Sequence, residues 1–383
     1  MKIVIAPDKF KGCLSAAQVA DAIAAGARRA DRHVQLDLCP MADGGEGTVA
    51  ALVSATGGKL ITRRVTGPLP EMRVDATFGM LGDGKTAVIE MSAASGLALL
   101  PAGQERDPMA ATTFGTGELL MAAAQLGAQH CILGIGGSAT IDGGIGCAQA
   151  CGLPVILQDG QPVSPTEPLC GRDLDSVVLI KHGRGSPVER MEIIVACDVI
   201  NPLYGPTGAV VVFGPQKGAT PGQVREMDAS LRQLSERTGK SRQAQFPGAG
   251  AAGGLGFAML AFFGAQLRSG IETIIEATGL RARLAGADLC LTGEGRLDGQ
   301  SLHGKAPIGV ARLCRDLGVP CVALVGSLAD DLHAMREQGL SAWFSICDRP
   351  MDLAGAMRET PILLESLAEN VISLLQSAHC TLA

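Results

Sequence analysis

Aromatic side chains are scarce in this sequence of 383 residues, which contains one Trp, one Tyr and nine Phe. Proteins that bind single-stranded nucleic acids stack the bases on aromatic rings, and those that bind duplexes present a basic face. Both classes are disfavoured, because the formal net charge is -6 and the pI is about 5.6. No apolar run approaches the roughly 20 residues of a membrane-spanning helix. We therefore expect no nucleic-acid partner and no membrane.

Paired cysteines and zinc-ligand spacings are absent as well. The twelve Cys include no C-x-x-C pair, and the six His are dispersed along the chain, so no zinc-binding pattern arises. Free thiols in this number suit the reducing cytosol. The N-terminal apolar run Lys2–Ala6 is shorter than the hydrophobic region of a signal peptide. The sequence therefore predicts a cytoplasmic protein.

Glycine, in contrast, is abundant, with 51 residues against an average usage of roughly 7%. So much glycine without a collagen period indicates tight turns, or backbone that lies against a ligand. The hydrophobic share of 47% and the charged share of 18% are ordinary for a globular enzyme. One hydrophobic core is usually insufficient at this length, so we expect two domains.

The two ends of the chain alternate strands and helices as a parallel sheet requires. Strands are predicted at Lys2–Ala6 and Val34–Cys39, and between them Ser15 and Gln18 form a capping box that opens a helix ending near Ala30. The C-terminal part continues with predicted strands at Ala287–Leu291, Cys321–Val325 and Trp343–Ile346, and helices at Pro307–Leu317 and Ile362–Gln376. Residues 1–65 and 280–383 are therefore predicted to form one discontinuous, doubly wound α/β domain.

The middle of the chain, residues 66–279, is predicted to be an inserted mixed α/β domain. Arg73–Phe78 and Ala87–Met91 flank Gly82-Asp83-Gly84, which indicates a β-hairpin. Further strands are predicted at Cys131–Gly134, Ile193–Ala196 and Ala209–Phe213, and helices at Gly117–Leu126 and Pro221–Gly239.

Two segments match the phosphate-loop pattern G-x-x-x-x-G-K. The first, residues 79–86, satisfies the whole pattern, but strand-forming residues follow it, whereas a phosphate loop must open a helix. We interpret it as the tip of the hairpin. The second, residues 299–306, lacks the Ser or Thr that would bind magnesium, yet it precedes a predicted helix with Pro307 near its first position. It is a candidate anion site, with Lys305 as the charge.

A glycine run at residues 134–137, followed by Ser138, resembles the dinucleotide-binding fingerprint. Gly143, Gly144 and Gly146 would then fall in the crossover helix, where each costs about 1 kcal/mol. We favour a glycine-lined loop that holds phosphate, while a dinucleotide site and a purely structural turn stay open.

Carboxylates and lysines recur beside glycines at the predicted ends of strands. Such positions face the crevice where open α/β sheets bind ligands, and acids with lysines suit magnesium binding and phosphoryl transfer. The acids are Asp8, Asp43, Glu46, Asp142, Asp198, Glu294 and Asp298, and the basic residues are Lys9, Lys11, Lys217, Arg296 and Lys305.

Together these segments resemble the bacterial class I glycerate kinases over nearly the whole chain. The resemblance is carried by Ile5–Gly12, Met41–Thr48, Gly134–Gly144, Cys197–Leu203, Val212–Gly218, Gly248–Gly254 and Thr292–Asp298 with Gly304-Lys305. Two departures are Lys9, where the family usually has Ser, and Ile141, where Asn is usual; both bear on substrate preference.

The resemblance implies a flavodoxin-like first domain, ATP and Mg²⁺ as cosubstrates, D-glycerate as acceptor and 2-phosphoglycerate as product. We predict Asp198 or Asp298 as the catalytic base, with Lys305 and Arg296 as further catalytic residues. The predicted substrate-binding residues are Asp8, Lys9, Lys11, Asp43 and His303. The predicted nucleotide- or phosphate-binding residues are Gly136, Gly137, Ser138, Asp142, Gly143 and Lys217, and the predicted metal ligands are Glu46 and Glu294.

Two other functions stay open at this point. The glycine run would also suit a nicotinamide-dependent oxidoreductase of a hydroxy acid, and a two-domain protein could bind a sugar acid without catalysis. The expected partners are small molecules, and a homodimer stays open.

Overall fold

A computed structural model of the protein describes residues 1–103, 105–181, 185–302, 305–329 and 332–382. The chain divides into two compact units. Unit 1 consists of Met1–Asp43, Ala50–Gly57 and Ile271–Ala383, and unit 2 of Gly44–Val49 and Gly58–Gly270. The strand Lys59–Thr66, which the sequence analysis assigned to the first domain, belongs to unit 2.

The strands of the described residues follow one another along the whole chain. They are β1 (Lys2–Ile5), β2 (Gln35–Leu38), β3 (Lys59–Thr66), β4 (Arg73–Met80), β5 (Thr86–Glu90), β6 (His130–Gly134), β7 (Val155–Leu157), β8 (Val177–Ile180), β9 (Glu192–Ala196), β10 (Gln266–Arg268), β11 (Leu289–Thr292), β12 (Arg296–Leu297), β13 (Cys321–Val325), β14 (Ser327–Leu328) and β15 (Ala342–Ser345).

Helices alternate with these strands and are supplemented by short 3₁₀ turns. The α-helices are α1 (Ala16–Ala30), α2 (Thr48–Thr56), α3 (Ser92–Ser95), α4 (Phe114–Gln125), α5 (Ile145–Ala150), α6 (Ala209–Phe213), α7 (Pro221–Arg237), α8 (Ser241–Ala244), α9 (Leu255–Phe262), α10 (Gly270–Thr278), α11 (Leu280–Leu284), α12 (Ala306–Leu317), α13 (Ala334–Glu337) and α14 (Leu353–Leu382).

Unit 1 is built on a parallel five-stranded sheet with the order β2-β1-β11-β13-β15. Counted within the unit this is the order 2-1-3-4-5, the flavodoxin-like arrangement. Ile3 pairs with Leu36 on one side and with Leu289 on the other, so β1 and β11 are neighbours although most of the chain separates them. The sheet order reverses between these two strands, which creates a topological switch point at their carboxyl ends.

Helices α1 and α14 cover one face of this sheet. The predicted capping box opens α1, since the Ser15 hydroxyl accepts the N–H of Gln18 and the Gln18 side chain accepts the N–H of Ser15. Gly26 allows the close approach of the two helices, because a Cβ there would clash with the carbonyl oxygen of Glu365. The last helix begins at Leu353 rather than near Ile362, and Pro361 lies inside it. The sequence analysis therefore missed the first turns of this helix.

Unit 2 is built on a mixed six-stranded sheet with the order β10-β9-β6-β5-β4-β3. Strands β3, β4 and β5 pair antiparallel, whereas β5, β6, β9 and β10 run parallel. The segment at residues 79–86 is the predicted hairpin tip. In it the Asp83 carboxylate accepts the N–H groups of Lys85 and Thr86, and strand β5 begins at Thr86, so no helix opens there.

The prediction of a strand at Ala209–Phe213 is wrong, because this segment forms helix α6. Its Val-rich sequence favours strands, but tertiary contacts outweigh that preference. The N–H of Val212 donates to Gly208 and that of Gly214 to Val210, a helical pattern. Ala209 and Val210 are buried, and the two valines that follow them are partly exposed.

A search of the described residues finds no helix with both the length and the apolar character needed to cross a membrane.

Candidate active site

Three carboxylates, two of them buried, follow strands at the switch point of the unit 1 sheet. Asp8 follows β1, Glu294 follows β11, and Asp43 follows β2. The N–H of Asp8 donates to the carbonyl oxygen of Gly293 at 2.8 Å, which fixes the two strand ends side by side. Asp8 is 7% exposed and Glu294 is 5% exposed. Acids are almost never buried without a reason, so this cluster is a candidate functional site.

The charge state of Asp8 is strongly perturbed. Burial, followed by the negative charge of Asp43, raises the pKa of Asp8 to about 7. Glu294 adds a smaller effect in the same direction, while the N–H of Lys9, which donates to Oδ1 of Asp8 at 2.6 Å, opposes it. A strongly perturbed acid in a sheet-edge crevice is typical of an active site.

Glu294 is held by two neighbours that differ in kind. Ser301, which is fully buried, donates its hydroxyl to Oε1 at 2.6 Å. The Lys305 ammonium lies 3.2 Å from Oε2. Burial raises the pKa of Glu294, while Ser301 and Lys305 oppose this effect. The sequence analysis missed Ser301, although it lies within the pattern at residues 299–306.

Lys305 extends the cluster to Asp298 and Arg296. Its ammonium lies 3.7 Å from Oδ1 of Asp298, and Nε of Arg296 lies 3.5 Å from Oδ2 of the same residue. Lys305 is the N-cap of α12, in extended conformation with Pro307 in the first turn, as the sequence predicted. The side chain of Arg296 is 67% exposed, which leaves it accessible to a ligand.

The remaining predicted residues of unit 1 are placed less tightly. Lys11 is exposed, and its backbone nitrogen lies beside Gly295, so the turn after Asp8 runs next to the loop after β11. Lys9 is half-buried. His303 lies outside the described residues.

The glycine loop after β6 belongs to unit 2. Gly136 and Gly137 are exposed and Ser138 is half-buried. Helix α5 begins only at Ile145, well beyond the glycine run, whereas a dinucleotide fingerprint opens its helix within the run. The loop therefore lacks the geometry of a nicotinamide-binding turn.

Asp142 has a structural position at the base of this loop. It is fully buried and accepts the N–H and the hydroxyl of Thr113, at 2.8 and 2.7 Å, and the N–H of Gly144 at 3.0 Å. Gly143, with φ +62°, faces the side chains of Leu231 and Leu234. Both residues were predicted to contact a nucleotide, which stays a prediction; the contacts that the structure shows for them are with the interior of unit 2.

Lys217, which ends the 3₁₀ turn Pro215–Lys217 after α6, lies against the same loop and is 3% exposed. Its ammonium donates to the Ser138 hydroxyl and to the Thr140 carbonyl oxygen, both at 2.7 Å. Burial lowers the pKa of Lys217 to about 7, and the charge of Asp142 opposes this effect. Lys217 thus joins Ser138 to the body of unit 2.

Asp198 and Glu46 also belong to unit 2. Asp198 follows β9 and is exposed, and its Oδ1 accepts the N–H of Gly270 at 3.0 Å. Glu46 is exposed in the turn before α2. The turn that contains Glu46 packs closely on β6, since a Cβ at Gly134 would lie 2.5 Å from the Gly44 carbonyl oxygen.

Comparison with known proteins gives a consistent family. The model of the Glycerate kinase family matches residues 3–376. A glycerate kinase of Bacillus subtilis strain 168 is 44% identical over 382 residues, which cover 99% of this chain and 98% of the relative. A glycerate 2-kinase of Escherichia coli K12 is 46% identical over 350 residues, which cover 90% of each chain.

A solved structure agrees with these sequence matches. The crystal structure of a Salmonella typhimurium LT2 protein assigned as a glycerate kinase 2 superposes with a TM-score of 0.89 at 43% identity. The match covers 99% of both chains. The fold of the whole chain, mixed α/β with parallel sheets, is therefore shared with that protein.

Proposed function

Because the chain belongs to the glycerate kinase family, it is a kinase that phosphorylates glycerate with ATP, and we propose that the product is 2-phosphoglycerate formed from D-glycerate. The Escherichia coli relative, 46% identical, is named a glycerate 2-kinase, which supports the 2-position. The observation that carries the proposed site is the cluster of Asp8, Glu294 and Lys305 at the switch point of unit 1.

Magnesium is the expected counter-ion of ATP, and the cluster offers donors that fit it. Mg²⁺ prefers oxygen ligands and is usually held by one or two carboxylates together with substrate phosphates. The raised pKa of Asp8 arises in part from Asp43 and Glu294, so each of these two carboxylates lies close enough to Asp8 to repel it. We propose that Asp8, Asp43 and Glu294 hold the ion, which neutralises phosphate charge when bound. The role of Glu46 as a ligand stays a prediction.

The basic residues of the cluster suit the two anions of the reaction. We propose that Lys305 stabilises the charge of the transferred phosphoryl group, since it lies at the start of α12, where the helix dipole favours an anion. The exposed guanidinium of Arg296 can bind the glycerate carboxylate through two parallel hydrogen bonds. Lys9 and Lys11 follow Asp8 directly and add positive charge on the same side.

The general base is proposed to be Asp298. Its carboxylate lies beside Lys305 and Arg296, and would take the proton of the attacking hydroxyl group while those cations hold the two anionic groups. Asp198, the other candidate, belongs to unit 2 and accepts the N–H of Gly270.

Two further inferences concern the setting of the enzyme. We infer a cytoplasmic location, which the free state of the described cysteines supports. We also infer small-molecule partners without nucleic acid, which the net charge of -6 supports.

The test measures the product directly. Purified protein is incubated with ATP, Mg²⁺ and D-glycerate, and enolase is added without a phosphoglycerate mutase. Because enolase dehydrates only the 2-phosphate, phosphoenolpyruvate should form in step with ADP. If ADP forms without phosphoenolpyruvate, the enzyme phosphorylates the 3-hydroxyl group of glycerate. If no ADP forms in response to glycerate, the proposed function is wrong.

A further inference from the structure

Unit 2 contains a cavity of about 400 Å³ that none of the roles proposed above uses. This volume lies within the roughly 300–1,000 Å³ that is typical of small-molecule sites. It is formed by the turn between β3 and β4, the segment after α3 and the segment before α4. Its apolar lining consists of Leu69, Pro70, Leu100, Ala110, Ala111 and Ala139.

The charged lining of the cavity is mixed in sign. Three carboxylates, Glu71, Glu105 and Asp107, accompany the cations Arg172 and Lys217. Glu71, Glu105, Asp107 and Arg172 are exposed, whereas Lys217 is 3% exposed. The cavity thus combines an apolar wall with carboxylate hydrogen-bond acceptors and one deeply buried ammonium group.

Lys217 and Ala139 connect this cavity to the glycine loop. Ala139 lines the cavity and directly follows Ser138, and the Lys217 ammonium donates to the Ser138 hydroxyl at 2.7 Å. Beyond Ser138, the backbone of Gly137 and Gly136 is exposed. The phosphate chain of a ligand in this cavity would therefore lie first beside Lys217 and then beside the exposed backbone of Gly137 and Gly136.

We propose that this cavity binds the adenosine part of ATP, with Lys217 and Ser138 next to the first phosphates. The assignment rests on the proposed function and adds to it the place of the nucleotide. An adenine ring needs apolar walls, and its amino group and the ribose hydroxyls are donors that carboxylates accept. The second substrate, glycerate, fits less well, because it is a small polar anion without an apolar surface that could pack on the apolar wall.

The experiment fills the cavity with a large side chain from its apolar wall, where the adenine base is proposed to lie, and measures nucleotide binding. Ala110, which is half-buried on the cavity wall, is replaced in Ala110→Trp. The matched control is Ala229→Trp, an exposed position of α7 in the same unit. ADP with Mg²⁺ is titrated by calorimetry, and ATP and glycerate are varied separately in the kinase assay.

Ala110→Trp should weaken ADP binding and raise the KM for ATP by about 10- to 100-fold, because one group in an apolar pocket changes affinity by this factor. The KM for glycerate and the thermal unfolding midpoint of Ala110→Trp should equal those of the control variant Ala229→Trp. If Ala110→Trp does not fold, Ala110→Leu tests the same wall, with about a tenfold weakening of ADP binding expected.

Unchanged ADP affinity in a folded Ala110 variant would overturn the assignment, and so would an equal loss in both tryptophan variants. A wild-type protein that binds ADP but does not phosphorylate glycerate would refute the proposed function and leave the cavity assignment standing. A wild-type protein that phosphorylates glycerate, while its Ala110 variants keep the ATP KM of the wild type, would refute only the cavity assignment.

Discussion

Two buried aspartates, Asp8 in unit 1 and Asp142 in unit 2, show how differently the same side chain can be used. Both are at least nine-tenths buried. Asp142 accepts the N–H and the hydroxyl of Thr113 and the N–H of Gly144, so its charge is met by donors on several sides. Asp8 accepts the N–H of Lys9 and faces the carboxylates of Asp43 and Glu294.

The difference indicates which unit performs which task. An anion surrounded by donors organises the backbone around it, and Asp142 shapes the loop that runs from Gly136 to Gly144. An anion placed among like charges is destabilising in the free protein, and such strain persists only where a ligand relieves it. Unit 1 thus places acids around Asp8 whose repulsion a bound cation or proton would relieve, and unit 2 supplies a loop held by its own hydrogen bonds.

The largest expected effect separates the two candidate bases, which lie in different units. Asp298→Asn should lower kcat by about 10²–10⁴-fold, because general base catalysis contributes that much. Asp198→Asn is the matched control, and since it keeps an oxygen that can accept the N–H of Gly270, its kcat should fall less than about tenfold. Steady-state kinetics at saturating ATP and glycerate measure both. If Asp198→Asn lowers kcat more than Asp298→Asn does, Asp198 is the general base.

Removal of the carboxylate in unit 2 should mainly affect stability. Asp142→Ala leaves the donors of Thr113 and Gly144 buried without their acceptor, and each costs about 1–3 kcal/mol. The free energy of unfolding in urea should therefore fall by about 3 kcal/mol or more. Asp142→Asn keeps the shape and one acceptor oxygen, and should lose less. A stable Asp142→Ala protein with impaired nucleotide binding would instead give Asp142 the direct nucleotide role that its sequence motif predicts.

The corresponding change in unit 1 should act in the opposite direction. The pKa of Asp8 is about 7 in the folded protein, against 3.8 for an unperturbed aspartate such as that of the unfolded chain. Between these values the folded state retains a proton that the unfolded state has lost, so the stability of the free enzyme declines as pH rises from about 4 to 7.

Asp8→Asn removes this dependence, since the amide does not ionise. At pH 8 without Mg²⁺ the variant should be more stable than the wild type by a few kcal/mol, while its kinase activity is lost. Urea unfolding of both proteins at pH 5 and pH 8 measures this difference in the free energy of unfolding. Addition of Mg²⁺ with ATP should make the difference at pH 8 smaller. A variant that is less stable at pH 8 would show that Asp8 is a structural acid like Asp142.

The sequence allowed much of unit 1 to be predicted, because local rules and tertiary structure agree there. The capping box of Ser15, the strand Cys321–Val325 and the helix that begins beside Lys305 follow from apolar runs and cap residues. The family resemblance, now matched over residues 3–376, likewise rested on local motifs.

Unit 2 was harder, because its segments are shaped by distant partners. The segment Ala209–Phe213 has the composition of a strand, yet its helix is set by contacts such as that between the Ala209 N–H and the Leu203 carbonyl oxygen. The role of Asp142 depends on Thr113, which lies 29 positions away. No local pattern distinguishes an aspartate that faces a ligand from one that accepts hydrogen bonds from such a partner.

The smallest expected effect concerns Ser301, whose side-chain hydroxyl donates to the Glu294 carboxylate. Ser301→Ala removes the hydrogen bond of 2.6 Å to Glu294, and a hydrogen bond to a charged group contributes about 1.5–3 kcal/mol. Activity at neutral pH should fall by about tenfold. Because the donor opposes the raised pKa of Glu294, its loss raises that pKa further, and the acidic limb of the pH profile of kcat/KM should move to higher pH. Ser301→Thr keeps the hydroxyl and should restore the limb. If Ser301→Ala lowers the rate but the acidic limb of the pH profile stays in place, Ser301 only supports the loop. The pH dependence of the cluster would then come from Asp8 and Asp43.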